Sequence, residues 1–329
     1  MRSILTAAAA FGLSALLTFL FVRWSDERQF VAEENHRSMH KGKVPVGGGL
    51  PLLTAAILTS FLIWPRNDMH SLIALCLSVL VLVSWADDRK ALNPFVRLAV
   101  HMMAATGAVL LLPGDALVFQ GWMPFVLDRL LAALALGWFI NLYNFMDGID
   151  GIAGAETAAL AAGYAAITFV GGPEAAPLYG LAVAILGATL GFLIWNWSPA
   201  RIFMGDVGSV PLGFLTGAMM LDLAIRHSLA AALILPLYFV SDATITLVRR
   251  LLTGAKPWEA HRTHFYQRAA LGLGSHGAVV LRVTACNAAL LIAAVLALTA
   301  PVLALALAFG AVGALLVNLE RAAGRKSGT

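Results

Sequence analysis

The sequence predicts an all-α polytopic integral membrane protein, and three observations carry that prediction. Of the 329 residues, 60% are hydrophobic and only 12% charged, with a mean hydropathy of +0.83. No water-soluble core could hide so much apolar surface. The apolar residues also fall into about eleven runs of a length that crosses a bilayer as a helix. Finally, the basic residues between the runs crowd into alternate connections, the pattern that the positive-inside rule produces.

The runs lie near 4–23, 46–64, 71–86, 95–112, 127–146, 152–170, 177–196, 208–225, 228–248, 277–299 and 301–319. The first is longer than the apolar core of a signal peptide, and no small-residue cleavage motif precedes Arg23, so it reads as an uncleaved helix. One set of connections carries Arg28, Arg37, Lys41, Lys43, Arg89, Lys90, Arg201, Arg249, Arg250, Lys256, Arg262, Arg268 and the tail Arg321, Arg325 and Lys326. The other carries only Arg2, Arg66, Arg129 and Arg226. This asymmetry predicts an outward N-terminus and a cytoplasmic C-terminus. The chain then reads as a single helical membrane domain over 1–329, with cytoplasmic loops at 24–45, 87–94, 147–151, 198–207 and 249–276. Cys76 and Cys286 sit inside apolar runs and read as small buried hydrophobes. Net charge +4 and pI 9.3 reflect the sided loops, and without a nucleic-acid motif the chain is expected to bind no nucleic acid.

The polar motifs singled out below all fall on the predicted cytoplasmic side. The sharpest stretch is NLYNFMDGIDGIAG, 141–154, where Asn141, Asn144, Asp147 and Asp150 follow one another at steps of three, so that on a helix each neighbouring pair shares a face. An ionised side chain at mid-bilayer costs roughly 2.5–3.5 kcal/mol, which puts two acids beside a span at its aqueous end or in a wet cavity. Four oxygen-bearing side chains beside Gly148 and Gly151 suit a hard cation such as Mg²⁺ or a polar ligand. Asn amides also join membrane helices, a reading that serves Asn141 better than the two acids.

Four further stretches join it. Asp87 and Asp88 end the third run, where paired acids work against the helix macrodipole. Asp206, between Gly205 and Gly208, is an acidic turn opening a helix and can cap N–H groups or hold a metal; nearby Phe203 can stack on a base or simply pack. In the first loop, Lys41 and Lys43 precede Gly47, Gly48 and Gly49, whose backbone N–H groups at a helix start could bind an anion; a basic topology signal followed by a close-packing glycine helix is the plainer reading. The last loop holds His261, Arg262, His264, Tyr266, Arg268 and His276. Its His-x-x-His spacing lacks a third zinc-type ligand, so Arg and His directed at phosphate fit better, with Tyr266 and Gln267 structural.

Taken together, DD at 87–88, NFMDGIDG at 144–151, FMGDVGS at 203–209 and HRTH at 261–264 resemble the polyprenyl-phosphate N-acetylaminosugar-1-phosphate transferase family, in its order and over nearly the whole chain. The resemblance implies transfer of an aminosugar-1-phosphate from a UDP-N-acetylaminosugar to undecaprenyl phosphate, releasing UMP, with Mg²⁺ or Mn²⁺, in the bacterial cytoplasmic membrane. It implies Asp206 as the principal metal ligand with Asn144 as partner, and Phe203 as the uracil-stacking residue. It implies Asp147 and Asp150 in catalysis and nucleotide binding, Lys43 at the nucleotide, and Asp87 and Asp88 at the lipid phosphate or as a base. His261, Arg262 and His264 fall in its diphosphate-contacting loop, with Asn141 carried among the substrate-binding residues and a homodimer compatible with the reading. Where the peptidoglycan branch has a run of histidines, this chain reads HFYQ at 264–267, which favours the O-antigen-like branch and GlcNAc, FucNAc or QuiNAc over a muramyl-pentapeptide.

A phosphate monoester is largely dianionic at pH 7, so Asp87 is expected to position the acceptor or its counter-ion more than to remove a proton. Two other classes compete. An ion-coupled transporter would hold its acids near the midplane, not at helix ends, and a non-catalytic scaffold would leave the gathered oxygen ligands unexplained.

Overall fold

A computed structural model describes residues 1–28, 44–64, 68–90, 92–110, 112–170, 176–255 and 261–324. Each apolar run is helical, as a bilayer requires of a chain that must pair its own backbone groups. In order these are α1 (Arg2–Arg28), α2 (Gly49–Ile63), α3 (Asp68–Arg89), α4 (Pro94–Leu110), α5 (Phe125–Phe145), α6 (Ile152–Val170), α7 (Tyr179–Asn196), α8 (Asp206–Arg226), α9 (Leu229–Ile234), α10 (Leu237–Leu252), α11 (Phe265–Leu273), α12 (His276–Leu296) and α13 (Pro301–Ala323). Among the described residues, seven helices are long and apolar enough to cross a membrane, namely α1, α5, α6, α7, α8, α12 and α13, while α2 and α4 are shorter apolar helices.

Two expectations need correction. The run at 228–248 is two helices, α9 and α10, separated at Leu235 and Pro236. Proline lacks the N–H that would continue the ladder and disfavours helical geometry in the residue before it. The last loop is also not all loop: α11 forms within it, burying Phe265, Tyr266, Ala269 and Ala270.

Among the described residues, the main buried core draws on residues from Ala10 to Ala322. At its centre α8 is almost entirely buried, whereas α1 and α13 leave most of their apolar surface outward. Small residues bring the backbones together. A Cβ on Gly187 or Gly191 of α7 would collide with the Ala7 or Phe11 carbonyl oxygen of α1. A polar contact also crosses the core, where Asn287 of α12 donates to the buried Glu156 carboxylate of α6 at 2.7 Å.

Candidate active site

The site is built where α3 ends and α8 begins. Val46 and Phe203 form an isolated parallel bridge, with Phe203 N–H donating to Pro45 O at 2.8 Å. Gly47 and Gly48 donate to Phe203 O at 3.2 and 2.9 Å, and Gly49 donates to Met204 O at 3.0 Å. The three glycine amides are therefore spent on the chain itself, which overturns the anion-binding reading and leaves the close-packing one. Gly205 then takes φ +75°, a left-handed conformation suited to glycine, and α8 starts at Asp206.

Asp88 caps that start from another helix. Its Oδ1 accepts from Asp206 N–H and its Oδ2 from Val207 N–H, each at 3.1 Å. The cap comes from α3, so the Asp206 carboxylate need not turn back on its own backbone. It lies 3.8 Å from Arg97 Nη1. Arg97 in turn binds Asp87 Oδ2 at 2.8 Å, and Asp87 Oδ1 accepts from Leu92 N–H at 2.6 Å. Asn93 opens α4 ahead of Pro94, its side-chain oxygen accepting from Phe95 N–H at 2.9 Å, and so sets Arg97 and His101 one turn apart on that helix.

From α5, Asn144 donates to Ser209 Oγ at 2.9 Å. Asn141 donates to Gly137 O at 2.8 Å, and its Oδ1 stands 3.1 Å from His101 Nδ1. The helix ends at Phe145, so the shared-face reading holds for Asn141 and Asn144 but not for Asp147 and Asp150, which lie in the following turn. Burial, with the Asp206, Asp88 and Asp150 carboxylates adding repulsion, pushes the Asp147 carboxyl up to about 7.

These groups form the polar end of a cavity of about 650 Å³. Asp87, Arg97, His101, Asn141, Asn144 and Asp206 line it together with apolar walls from Val83, Phe95, Leu98, Met102, Leu134, Trp138, Val210 and Leu247. The donor atoms suit a hard cation, since carboxylate and amide oxygens dominate. Among the described residues, however, no three His, Cys, Asp or Glu side chains stand at the mutual spacing of metal ligands. Asp87 is held on Arg97, which also faces Asp206, while Asp88 is held on the α8 amides.

The other expected residues lie around this centre. Asp150 is buried, its Oδ2 accepting from Ala200 N–H at 3.1 Å and standing 3.3 Å from His276 Nδ1, so it ties the turn to the 196–201 segment and to α12. Phe203 is half-buried beside the Val46 bridge. His261 and His264 stack with centroids 5.0 Å apart, and Arg262 between them is half-buried. This last segment docks through Tyr266, whose hydroxyl donates to Phe145 O at 2.9 Å, over Gly148, where any Cβ would collide with that hydroxyl. Lys43 lies outside the described residues.

Arg97, His101 and Ser209 were not singled out by the sequence. The available signal was a charge and an imidazole four residues apart inside an otherwise apolar run, the placement that marks function in a membrane helix.

Acids at helix ends above an apolar-walled cavity are the equipment of an enzyme acting on an anionic, lipid-borne substrate at the membrane surface. Residues 70–224 match the family model described as glycosyl transferase family 4. The chain is 30% identical over 260 residues to phospho-N-acetylmuramoyl-pentapeptide-transferases of Streptococcus pneumoniae strains Hungary19A-6 and Taiwan19F-14, covering 72% of this chain and 78% of each relative. The chain belongs to this family, the multi-pass membrane phosphotransferases that move a phosphosugar from a nucleotide-sugar donor to a polyprenyl phosphate.

Proposed function

We propose that this protein transfers an N-acetylaminosugar-1-phosphate, of the GlcNAc, FucNAc or QuiNAc kind, from its UDP donor to undecaprenyl phosphate at the cytoplasmic face, starting a cell-surface glycan such as O-antigen. The observation that carries it is the Asp206 carboxylate, relieved by Asp88 of capping its own helix and set beside Arg97 at the polar end of an apolar-walled cavity. Apolar walls ending in one cation suit a lipid phosphate. An oxygen of that phosphate attacks the sugar-bearing phosphorus, and the bond from that phosphorus to the UMP oxygen breaks.

Arg97 orients the acceptor anion, and Asp87, paired with Arg97 and Leu92 N–H, holds the guanidinium in place. Asp206 and Asn144 would hold Mg²⁺, with Asp147 alongside; the ion supplies charge neutralisation on the diphosphate. Loop basic residues on this side, among them Arg89, Arg201 and Arg262, support the cytoplasmic placement.

A muramyl-pentapeptide donor is the second reading, favoured by the printed activity of the relatives. The HFYQ stretch at 264–267, which resembles the O-antigen-like branch, argues against it, and its Phe265 and Tyr266 are buried. Purified protein with undecaprenyl phosphate, Mg²⁺ and radiolabelled UDP-GlcNAc, UDP-FucNAc, UDP-QuiNAc and UDP-MurNAc-pentapeptide separates the readings. UMP release with an unsubstituted aminosugar is expected. Product from the pentapeptide donor alone would overturn the sugar choice, and no product from any donor would overturn the assignment.

The cation has its own readout. Asp147's raised pKa means that the folded state holds this proton more tightly than the unfolded chain, so its stabilising contribution is complete below about pH 4 and lost as pH rises through about 7. Mg²⁺ is therefore expected to raise the melting temperature more at about pH 8 than at about pH 5.5. Equal increments at the two pH values would remove Asp147 from the cation site.

A further inference from the structure

Asp242, on α10, is fully buried, and the site described so far does not use it. Its two carboxylate oxygens meet five groups. Oδ1 accepts from Phe265 N–H at 3.1 Å and from Thr246 Oγ1 at 3.3 Å, and stands 3.1 Å from His264 Nδ1. Oδ2 accepts from Tyr266 N–H at 3.1 Å and from the Tyr238 hydroxyl at 3.3 Å. With every other neighbour donating, the imidazole nitrogen facing the carboxylate is the one that carries the proton.

That leaves the other nitrogen. The His264 side chain is 4% exposed, and its Nε2 is buried with no hydrogen-bond partner among the described residues. A polar atom buried in this way carries a desolvation cost until a ligand meets it. Stacking with His261 at 5.0 Å and Tyr266 at 5.6 Å restrains the ring, and Tyr266 links it to the α5 terminus just before Asp147.

We infer that Asp242 is a positioning residue: it holds His264 by Nδ1–H and reserves Nε2 for a phosphate oxygen of the nucleotide-sugar donor. The inference rests on the transferase reading above. A phosphate oxygen only accepts, so the bound imidazole is protonated on both nitrogens, with Asp242 as its counter-charge. Asp242 itself touches no substrate.

The test uses the full-length protein in lipid nanodiscs with ¹⁵N-labelled histidine, the His264→Ala spectrum serving to assign the resonance. Free protein is expected to show His264 carrying a proton at Nδ1, and protein with saturating UDP to show both nitrogens protonated. A free state lacking the Nδ1 proton, or a His264 resonance unmoved by UDP, overturns the proposal.

Turnover supplies the second arm. Asp242→Asn is expected to lower kcat roughly 10–100-fold, Asp242→Glu to recover part of that, and Asp242→Asn to add nothing in a His264→Ala background. Losses that multiply would make Asp242 a structural residue only. If Asp242→Asn does not fold, the wild-type and Asp242→Glu spectra still decide. Wild-type protein that makes no product with any donor defeats the transferase reading, while the spectra of the free protein bear on Asp242 alone.

Discussion

Asp88→Asn is expected to lower turnover roughly 100-fold while leaving the helix content intact, because it moves Asp206 without removing it. The Asp88 carboxylate receives the first two N–H groups of α8, both at 3.1 Å. Hydrogen bonds to a charged group contribute about 1.5–3 kcal/mol each. An asparagine offers one oxygen to one amide and presents an NH₂ group to the other, so the first turn of α8 must shift. The Asp206 carboxylate shifts with it, away from Arg97 and Asn144, and a displacement of about 1 Å from the productive geometry costs on the order of 100-fold. UMP release under saturating substrates, read beside the melting temperature, is the measurement. Activity within about threefold of the parent, at unchanged stability, would mean that the cap does not place Asp206.

Gly49→Ala is expected to destabilise the fold by about 1–3 kcal/mol and to lower activity with it. A Cβ on Gly49 would collide with Gly208 Cα, and one on Gly208 would come 2.6 Å from Gly49 Cα. Both contacts are with backbone, so no side chain can swing away and the two helix starts must separate. That separation strains the Gly47, Gly48 and Gly49 hydrogen bonds to Phe203 and Met204, and with them the turn that leads into Asp206. Gly313→Ala on α13 is the control, since nothing lies within 4 Å of its Cβ position and alanine is the better helix former. Reversible unfolding in detergent should show the first variant shifted and the second neutral or slightly more stable. Equal behaviour of the two would remove the close approach of α2 and α8 as a requirement of the fold.

The apolar runs were legible because each helix pairs its own backbone and meets lipid or another helix with a similar surface, so a local pattern suffices. The break at Pro236 was written in the chain as well, yet hydropathy averages over it and α9 and α10 read as one span. Asp87, Asp88, Asp147 and Asp206 were legible for a related reason: a carboxylate beside an apolar run is too costly to be incidental. Asp150 carried the same signal, and the structure commits it to Ala200 and His276. Pattern alone does not tell a buried tie from a residue left open to a ligand.

By itself, then, the sequence determined an all-helical membrane protein with its acids gathered at helix ends, since hydropathy and charge act residue by residue. The tertiary structure decided which acid meets which partner: Asp88 on the α8 amides, Asp87 on Arg97, and Asp242 on His264. It also decided that the three glycine amides after Pro45 are consumed by Phe203 and Met204. The physical reason is range. The bilayer's preference for apolar side chains is read within one helical turn, whereas a hydrogen bond between residues 88 and 206 exists only after separate helices have packed and excluded the water that would otherwise compete for it.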